Sequence, residues 1–359
     1  MLNVIGWDIG GANVKAAFIK VDRGIVKELK TAIEYFPIWR VGKEKLPEVL
    51  KQLTKRTANT TKLNAVGVTM TAELSDAYWS KREGVNHILN CVEQVFPNIQ
   101  VFVLDCDMNL RTVRSAKRNY LKVAAANWPA TGWMVAQQIR NCLVIDSGST
   151  TTSIIPVIEG KIAATGKTDL EKLINGELVY TGALRTNVAA ITHSIPIRGG
   201  LARVSSELFA LSGDVHLILE NITEKEYTTE TADGRGKSKL EAMARLARVV
   251  CADIEMLREE EIIEMARYIY EKQIEQLVMA IKQVHERIKH FIKEEIPAVT
   301  AGLGRSFLAR KAAEKAGFKR VMDLGEIIGA SASLSAPSVG VALIVASKLE
   351  GKVVRWKRL

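Results

Sequence analysis

Two short segments of this sequence combine an aspartate with glycines and small polar side chains, a combination suited to binding phosphate groups. The first contains Asp8, Gly10, Gly11, Asn13 and Lys15. Glycines at a turn let backbone N–H groups approach an anion closely, because no Cβ intervenes. Asn13 adds a side-chain donor, and Lys15 adds a positive charge. Asp8 would repel a bare phosphate, so its position suits a site where Mg²⁺ or an ordered water lies between the two.

The second segment begins at Asp146 and has the same character. It offers backbone N–H donors together with hydroxyl groups, from Ser147, Gly148, Ser149, Thr150 and Thr151. We expect both segments to be hairpin turns that clamp a diphosphate or triphosphate in a cleft between two domains. Asp8 and Asp146 would then hold the metal, directly or through water. The alternative is a pair of unrelated hairpin turns.

Apolar runs around these segments predict the strands that position them. The strands expected in the two halves are 3–9, 14–20 and 25–29, then 142–145, 154–158 and 162–165. Both halves therefore open with strand, glycine turn, strand, turn and strand, which indicates an internal repeat. Further elements alternate between strand and helix, namely strand 65–69, helix 84–95, strand 101–104, strand 298–301, helix 306–316, strand 319–322 and helix 338–349.

This alternation predicts an α/β fold of duplicated domains with mixed sheets and a ligand cleft between them. We expect the domains at residues 1–140 and 141–359, the second with a helical insertion at about 237–296. Apolar residues at helical spacing over 254–296 predict one long helix or two, which we expect Pro297 to end.

Composition limits the classes of function. The chain has 359 residues with 50 Lys and Arg against 40 Asp and Glu, and its net charge of +10 favours anionic ligands. The densest basic run, at Lys352, Arg355, Lys357 and Arg358, has no aromatic stacking motif, so we expect a solvated tail and no nucleic acid. No apolar run is long enough to span a membrane, and the 4 Cys form no C-x-x-C pair. We expect a cytoplasmic protein with reduced thiols and no membrane partner.

A third glycine element, Gly302 and Gly304, follows a predicted strand and opens a helix, where the N-terminus favours anions. By itself this signal is weak, because glycine turns between strand and helix are common in packing. The three elements together resemble the actin, sugar-kinase and Hsp70-like fold, which is ribonuclease H-like, with its two phosphate hairpins and a later adenosine loop.

Other segments carry a narrower resemblance. Residues 176–187, GELVYTGALRTN, are similar to the hydantoinase A/oxoprolinase group. Residues 70–76, 126–128 and 231–238 resemble one subfamily, the methanofuran-biosynthesis condensing enzymes of methanogens, also labelled tetrahydromethanopterin-linked C1-transfer proteins. Ala72 and Ser75 stand where that subfamily is expected to have Gly and Ala, which are changes between small residues.

The resemblance implies an ether-forming condensation. An aminomethyl-furanmethanol diphosphate (a furfuryl diphosphate) would react with the phenol oxygen of γ-glutamyltyramine and release pyrophosphate. Mg²⁺ is expected and ATP is not required, and a homo-oligomer is possible. Asp8, Asp146 and Lys15 would stabilise the departing diphosphate together with the two glycine segments.

Six further residues are candidates for this chemistry. Glu73 and Asp76 are three apart after a buried strand, and they would share a face if they open a helix. One of them could accept the phenol proton or hold the aminomethyl cation; the alternative is helix capping. Arg185 and Thr186 could bind the diphosphate or the glutamyl carboxylate, against the alternative of a structural salt bridge. We assign Gly302 and Gly304 to substrate binding.

Two other classes of function use the same hairpins. An ATP-dependent small-molecule kinase would form ADP and place adenine near Gly302–Gly304. A nucleotide-switch protein would hydrolyse nucleotide slowly and act through partners. The 70–76 block favours the condensing enzyme, because neither alternative requires it.

Overall fold

The computed structural model describes residues 1–292 and 294–355, so Lys357 and Arg358 of the predicted basic tail lie outside the described residues. Residues 2–111 contain the strands β1 (Leu2–Ile9), β2 (Asn13–Asp22), β3 (Ile25–Tyr35), β4 (Ala65–Met70), β5 (Gln100–Leu104) and β6 (Leu110–Arg111). They form one sheet in the order β3-β2-β1-β4-β5-β6. The sheet is mixed, because β1 pairs antiparallel with β2 and parallel with β4.

The later strands are β7 (Cys142–Ser147), β8 (Thr152–Ile158), β9 (Lys161–Ile162), β10 (Leu178–Val179), β11 (Ser194–Ile197), β12 (Gly200–Arg203), β13 (Ala298–Ala301) and β14 (Val321–Asp323). The second sheet runs β10-β8-β7-β13-β14, with β9 also paired to β8, and β11 pairs with β12 separately. Each large sheet thus opens with three consecutive strands, which confirms the predicted repeat and the α/β class with mixed sheets.

The helices up to residue 174 are α1 (Ile38–Val41), α2 (Leu46–Thr57), α3 (Lys81–Val95), α4 (Val113–Arg118), α5 (Tyr120–Val123), α6 (Trp128–Ala136) and α7 (Asp169–Ile174). Those that follow are α8 (Val188–Ile191), α9 (Ser212–Ile218), α10 (Lys239–Arg248), α11 (Glu259–Ile288), α12 (Arg310–Lys315), α13 (Leu324–Ile328), α14 (Ala330–Leu334) and α15 (Ala336–Glu350). None of the helices in the described residues has the length and apolar character that a bilayer crossing requires.

Internal contacts divide the chain into two compact units. The first consists of Met1–Val144, Ile155–Ile174 and Asp323–Leu359, and the second of Ile145–Ile154 and Asn175–Met322. The chain passes between the units four times: within β7, within β8, directly after α7 and within β14. The expected domain boundary between residues 140 and 141 stays a prediction.

Two glycines, which have no side chain, let α15 pack closely on the first sheet. Gly6 and Gly67 are register partners on β1 and β4. A Cβ on Gly6 would lie 2.1 Å from the Ser338 carbonyl oxygen, and one on Gly67 would lie 3.0 Å from a Val345 methyl carbon. The two glycines therefore form a shallow groove that receives the buried helix, which fixes β1, the strand that carries Asp8.

Three predicted elements differ clearly from the structure. The strand expected at 162–165 is the short β9, which ends at Ile162. The long helix is a single helix, α11, and it ends at Ile288, well before Pro297, with one 3₁₀ turn at Lys289–Phe291. Pro297 is therefore not what ends it. The helix expected at 306–316 begins as a π-helical turn, Arg305–Ala309, before α12.

Candidate functional site

The first glycine segment is a tight turn between β1 and β2, as predicted. Gly10 N–H donates to the carbonyl oxygen of Asn13 at 3.0 Å. The register places Asp8 directly opposite Lys15, so their side chains share one face of the hairpin. A Cβ on Gly11 would meet only ordinary contacts, the nearest being Ser75 Cβ at 3.6 Å. Packing in the first unit therefore does not require glycine at position 11, which leaves close approach of a ligand as a reason for it.

Asp8 is a buried carboxylate. It is 5% exposed, and burial raises its pKa above the usual value, against the opposing effects of Lys15, Asn127 and Thr69. Asn127 Nδ2 donates to Asp8 Oδ1 at 3.4 Å. An anion in such a position is costly unless a positive charge lies close to it, which fits the proposed role beside a cation.

Glu73 lies in a single 3₁₀ turn, Ala72–Leu74, directly after β4. It is 1% exposed, and neither carboxyl oxygen has a hydrogen-bond partner of normal geometry among the described residues. Burial raises its pKa to about 7, only partly offset by nearby backbone N–H groups and the Lys81 charge. Helix α3 packs so tightly here that a Cβ on Gly84 would lie 2.6 Å from Glu73 Cα. The Glu73 carboxyl therefore changes between its protonated and its charged form near neutral pH.

Asp76 does not share this environment. It lies beyond the 3₁₀ turn and is exposed to solvent. Glu73 and Asp76 would share a face only if they opened a helix, and that condition is not met, because the turn ends at Leu74 and no helix of the described residues carries both.

The segment before α6 connects the two buried carboxyl groups of the first unit. Ala125 has a left-handed backbone (φ 51°), and its backbone N–H is near Glu73. Two residues further along, Asn127 contacts Asp8. The motif at 126–128 thus has a structural role in supporting both groups.

Sequence reasoning missed a lysine in this region. Lys172, on α7, is 2% exposed, and its Nζ lies 4.4 Å from the centroid of the Trp128 ring. Three residues earlier, Asp169 pairs with Lys81 at 3.0 Å. The local sequence resembles that of a solvated amphipathic helix, so nothing in it indicates that Lys172 is buried.

The second glycine segment is also a turn, between β7 and β8. Gly148 N–H donates to the Thr151 carbonyl oxygen at 2.9 Å, and Thr152 Oγ1 donates to Ser147 Oγ at 3.1 Å. A Cβ on Gly148 would come no closer than 3.5 Å to the Thr151 oxygen, so packing in the second unit does not require glycine there. The backbone at the tip of this turn is therefore not crowded by neighbouring atoms.

Two neighbouring glycine elements press on this turn. A Cβ on Gly182 would lie 2.6 Å from Thr150 C, and one on Gly302 would lie 2.4 Å from the Ser147 carbonyl oxygen. Gly304 N–H donates to that same oxygen at 2.9 Å. Packing thus accounts for glycine at 302 and 304, and their role in substrate binding stays a prediction.

Arg185 and Thr186 belong to the segment that supports the turn. Arg185 Nη1 donates to Thr150 Oγ1 at 3.1 Å. Gly182 N–H donates to Thr186 Oγ1 at 3.0 Å, within the bend that contacts the turn. Arg185 therefore lies at the second glycine turn, whereas Thr186 is 7% exposed and ties its own loop together.

Arg245, on α10, contacts Asp214 at 2.8 Å and Asp233 at 3.2 Å rather than Asp253, the acidic residue that follows α10 in the chain. Asp253 instead accepts N–H donors at the approach to α11. Arg245 and Asp214 are fully buried, so this network stabilises the second unit.

Among the described residues, no group of three or more His, Cys, Asp or Glu side chains could hold a metal ion. Mg²⁺ commonly binds through only one or two carboxylates together with substrate phosphates and water. Asp8 in the first unit and Asp146 in the second are carboxylates of this kind, and their role at a metal stays a prediction.

Comparisons with known proteins identify the family of this chain. The hydantoinase/oxoprolinase family matches residues 64–348. A protein of Methanocaldococcus jannaschii, named (4-{4-[2-(gamma-L-glutamylamino)ethyl]phenoxymethyl}furan-2-yl)methanamine synthase, is 38% identical over 97% of this chain and 98% of its own length. A protein of the same name from Methanococcus vannielii is 37% identical over 62% of this chain and 98% of its own.

One solved structure shows the likeness of fold alone. The nucleotide-free structure of an acetone carboxylase has a TM-score of 0.54 at 8% identity, covering 95% of this chain and 70% of that one. Since the family match spans most of the sequence and the relatives are this similar, the chain belongs to the hydantoinase/oxoprolinase family.

Proposed function

We propose that this chain is an enzyme that condenses aminomethyl-furanmethanol diphosphate with the phenol of γ-glutamyltyramine. The product is (4-{4-[2-(gamma-L-glutamylamino)ethyl]phenoxymethyl}furan-2-yl)methanamine, and pyrophosphate is released. The observation that carries the proposal is 38% identity, over nearly the whole of both chains, with a synthase named for this product. In this reaction an alkyl group is transferred to an aryl oxygen, and no ATP is consumed.

The bond changes determine what the residues must do. The bond between the furfuryl carbon and the diphosphate oxygen breaks, and both electrons leave with the diphosphate. The phenol oxygen forms the new ether bond to that carbon and loses its proton. The furan ring delocalises the developing carbon cation, so the larger demand is to stabilise the departing negative charge. Fixed N–H donors and cations supply that stabilisation.

The residues assigned to the diphosphate are those of the two glycine turns. Support comes from the rigid packing of the second turn and from the open backbone at Gly11 and Gly148. Lys15, opposite Asp8, supplies a positive charge. Mg²⁺, when bound, would neutralise phosphate charge. Asp8 and Asp146 are the carboxylates proposed to hold it.

We assign Glu73 as the acceptor of the phenol proton. A base is most effective when its pKa is near the working pH, and burial raises the pKa of Glu73 to about 7. Both carboxyl oxygens are buried in this structure, so the proton reaches Glu73 only when the substrate or a water enters beside it. Asp76, which is exposed, is the alternative acid for holding the aminomethyl cation.

One incubation tests the reaction. Purified protein is mixed with Mg²⁺, the furfuryl diphosphate and γ-glutamyltyramine, with and without ATP, and ether, pyrophosphate and ADP are measured. We expect equal amounts of ether and pyrophosphate without ATP. ADP formation that requires ATP, with no ether, would identify kinase chemistry instead.

The pH dependence of kcat/KM tests the base. The wild-type profile should rise with pH through about 7, where Glu73 loses its proton. Glu73→Gln should remove this step along with most of the activity, and Asp76→Asn should keep it. A profile that Glu73→Gln leaves unchanged would exclude Glu73 as the base.

A further inference from the structure

A buried glutamine in the middle of α11 contacts the segment that supports the second glycine turn. Gln273 is fully buried, and its Nε2 donates to Thr181 Oγ1 and to the Gly182 carbonyl oxygen, both at 2.9 Å. Two acceptors on one side fix which end of the amide is the nitrogen. The Gln273 Oε1 atom therefore points the other way, toward His216.

His216 completes this arrangement. Its Nε2 lies 3.0 Å from Gln273 Oε1, so Nε2 carries the hydrogen, and Asn221 Nδ2 lies 3.2 Å from its Nδ1. Burial lowers the pKa of His216 to about 4, so the ring is neutral at physiological pH. Its ring packs 4.7 Å from the Phe307 ring, centroid to centroid. Both nitrogens are thus satisfied, and the imidazole holds the Gln273 amide in one orientation.

The segment that Gln273 contacts also packs against the second glycine turn. Gly182 packs on Thr150 without room for a Cβ, and the next residue, Ala183, donates from N–H to the Gly148 carbonyl oxygen at 2.9 Å. Leu184 and Arg185 both donate from N–H to the Ser149 carbonyl oxygen, at 2.9 and 3.0 Å. The backbone of the second glycine turn is therefore hydrogen-bonded to residues 183–185, the segment that begins next to the Gly182 carbonyl bound by Gln273.

We propose that Gln273 is a positioning residue for diphosphate binding: its amide helps to set the position of Gly182, and through it the N–H groups at 149–150. This inference rests on the proposed function, in which the second glycine turn holds the diphosphate. Gln273 itself touches no substrate. Its loss should therefore affect the diphosphate and leave the phenol substrate unaffected.

Gln273→Met tests the inference, because methionine has a similar length and no donor. It removes the Gln273 donor from the Gly182 oxygen, which keeps the Ser212 hydroxyl as a donor at 2.9 Å. The loss of one such hydrogen bond typically corresponds to about a tenfold effect on binding. We expect the KM for the furfuryl diphosphate and the Kd for inorganic pyrophosphate both to rise about tenfold. The KM for γ-glutamyltyramine should stay within about twofold of wild type.

Val284→Ala is the matched control. Val284 is a fully buried residue of the same helix, and its truncation costs stability without removing any hydrogen bond of the Gln273 amide. We expect it to leave both KM values unchanged. If Gln273→Met does not fold, Thr181→Val removes one of the two acceptors and should give a smaller rise in the same KM.

Comparison with a variant of the turn itself separates the two possible failures. Thr150→Val changes the turn directly. If Thr150→Val leaves pyrophosphate binding unchanged, the turn does not hold the diphosphate, and the assignment in the proposed function fails. If Thr150→Val weakens binding and Gln273→Met does not, or if Gln273→Met raises both KM values equally, the positioning role of Gln273 is overturned.

Discussion

A methyl group on Gly84 would come within 2.6 Å of the Cα of Glu73, so α3 and the 3₁₀ turn pack backbone against backbone. Gly84 is a helix-interior glycine, and at an open helix position Gly→Ala stabilises by about 1 kcal/mol. Here we expect Gly84→Ala to cost about 1–3 kcal/mol, because the turn must move. Activity should fall as well, since Glu73 shifts.

Urea denaturation and product formation check this prediction. Gln94→Ala, at an exposed position of the same helix, is the control and should leave both measurements close to wild type. A more stable Gly84→Ala protein would contradict the packing argument.

The buried carboxyl of Glu73 makes stability depend on pH in a defined direction. Its pKa is raised from 4.5 to about 7 in the folded protein, so the folded state holds the proton more tightly than the unfolded state. The contribution of this group to stability is fully present below pH 4.5 and is lost as the pH rises through 7. Glu73→Gln stays neutral, so it should be about 3 kcal/mol more stable than wild type at pH 8 and no different at pH 4.

Denaturant midpoints at pH 4 and pH 8 measure this difference. Asp76→Asn, which changes an exposed carboxyl nearby and keeps Glu73, serves as the reference, and its stability relative to wild type should be the same at both pH values. A Glu73→Gln advantage of the same size at both pH values would contradict the assignment.

Asp8 should show opposite effects on activity and stability. Burial raises the pKa of Asp8, so its charged form is held at a cost in the folded protein. We expect Asp8→Asn to lose turnover by at least about 100-fold and to raise the thermal midpoint at pH 7. Pyrophosphate release and thermal denaturation measure the two effects, and retained turnover would remove Asp8 from the site.

Substitutions at Gly302 and Gly317 separate the stability cost of a steric contact from the cost of backbone strain. Both have a left-handed backbone, with φ of 83° and 101°, but a Cβ on Gly317 would have nothing within 4 Å. Gly317→Ala should therefore cost about 1 kcal/mol from strain alone. Gly302→Ala should cost at least about 2 kcal/mol more, because its Cβ meets the Ser147 carbonyl oxygen. Equal losses in urea denaturation would show that the contact has no effect.

Gly148 tests whether open backbone at the second turn serves the ligand. A Cβ at this position would lie 3.5 Å from the nearest atom, which is an ordinary contact, so Gly148→Ala should fold with nearly wild-type stability. The added methyl group would keep a phosphate oxygen away from the backbone N–H groups. We expect the KM for the diphosphate to rise about tenfold. An unchanged KM would indicate that the diphosphate binds elsewhere.

The sequence by itself determined the elements that local patterns encode. The strands that carry Asp8 and Asp146, the glycine turns after them and the repeat of three opening strands follow from apolar runs and glycines close together in the chain. The similarity of the 70–76 and 176–187 segments to a known family pointed to the same chemistry.

Only the tertiary structure decided which side chains are buried and which partners they meet. Glu73 and Asp76 are three residues apart, yet the packing of α3 buries one and leaves the other exposed. Arg245 pairs with Asp214, 31 residues away in the chain, and Gln273 with Gly182, 91 residues away. Lys172 is buried against Trp128 for the same reason. Burial and polar partners depend on contacts between distant segments, and residue spacing along one segment carries no information about those contacts.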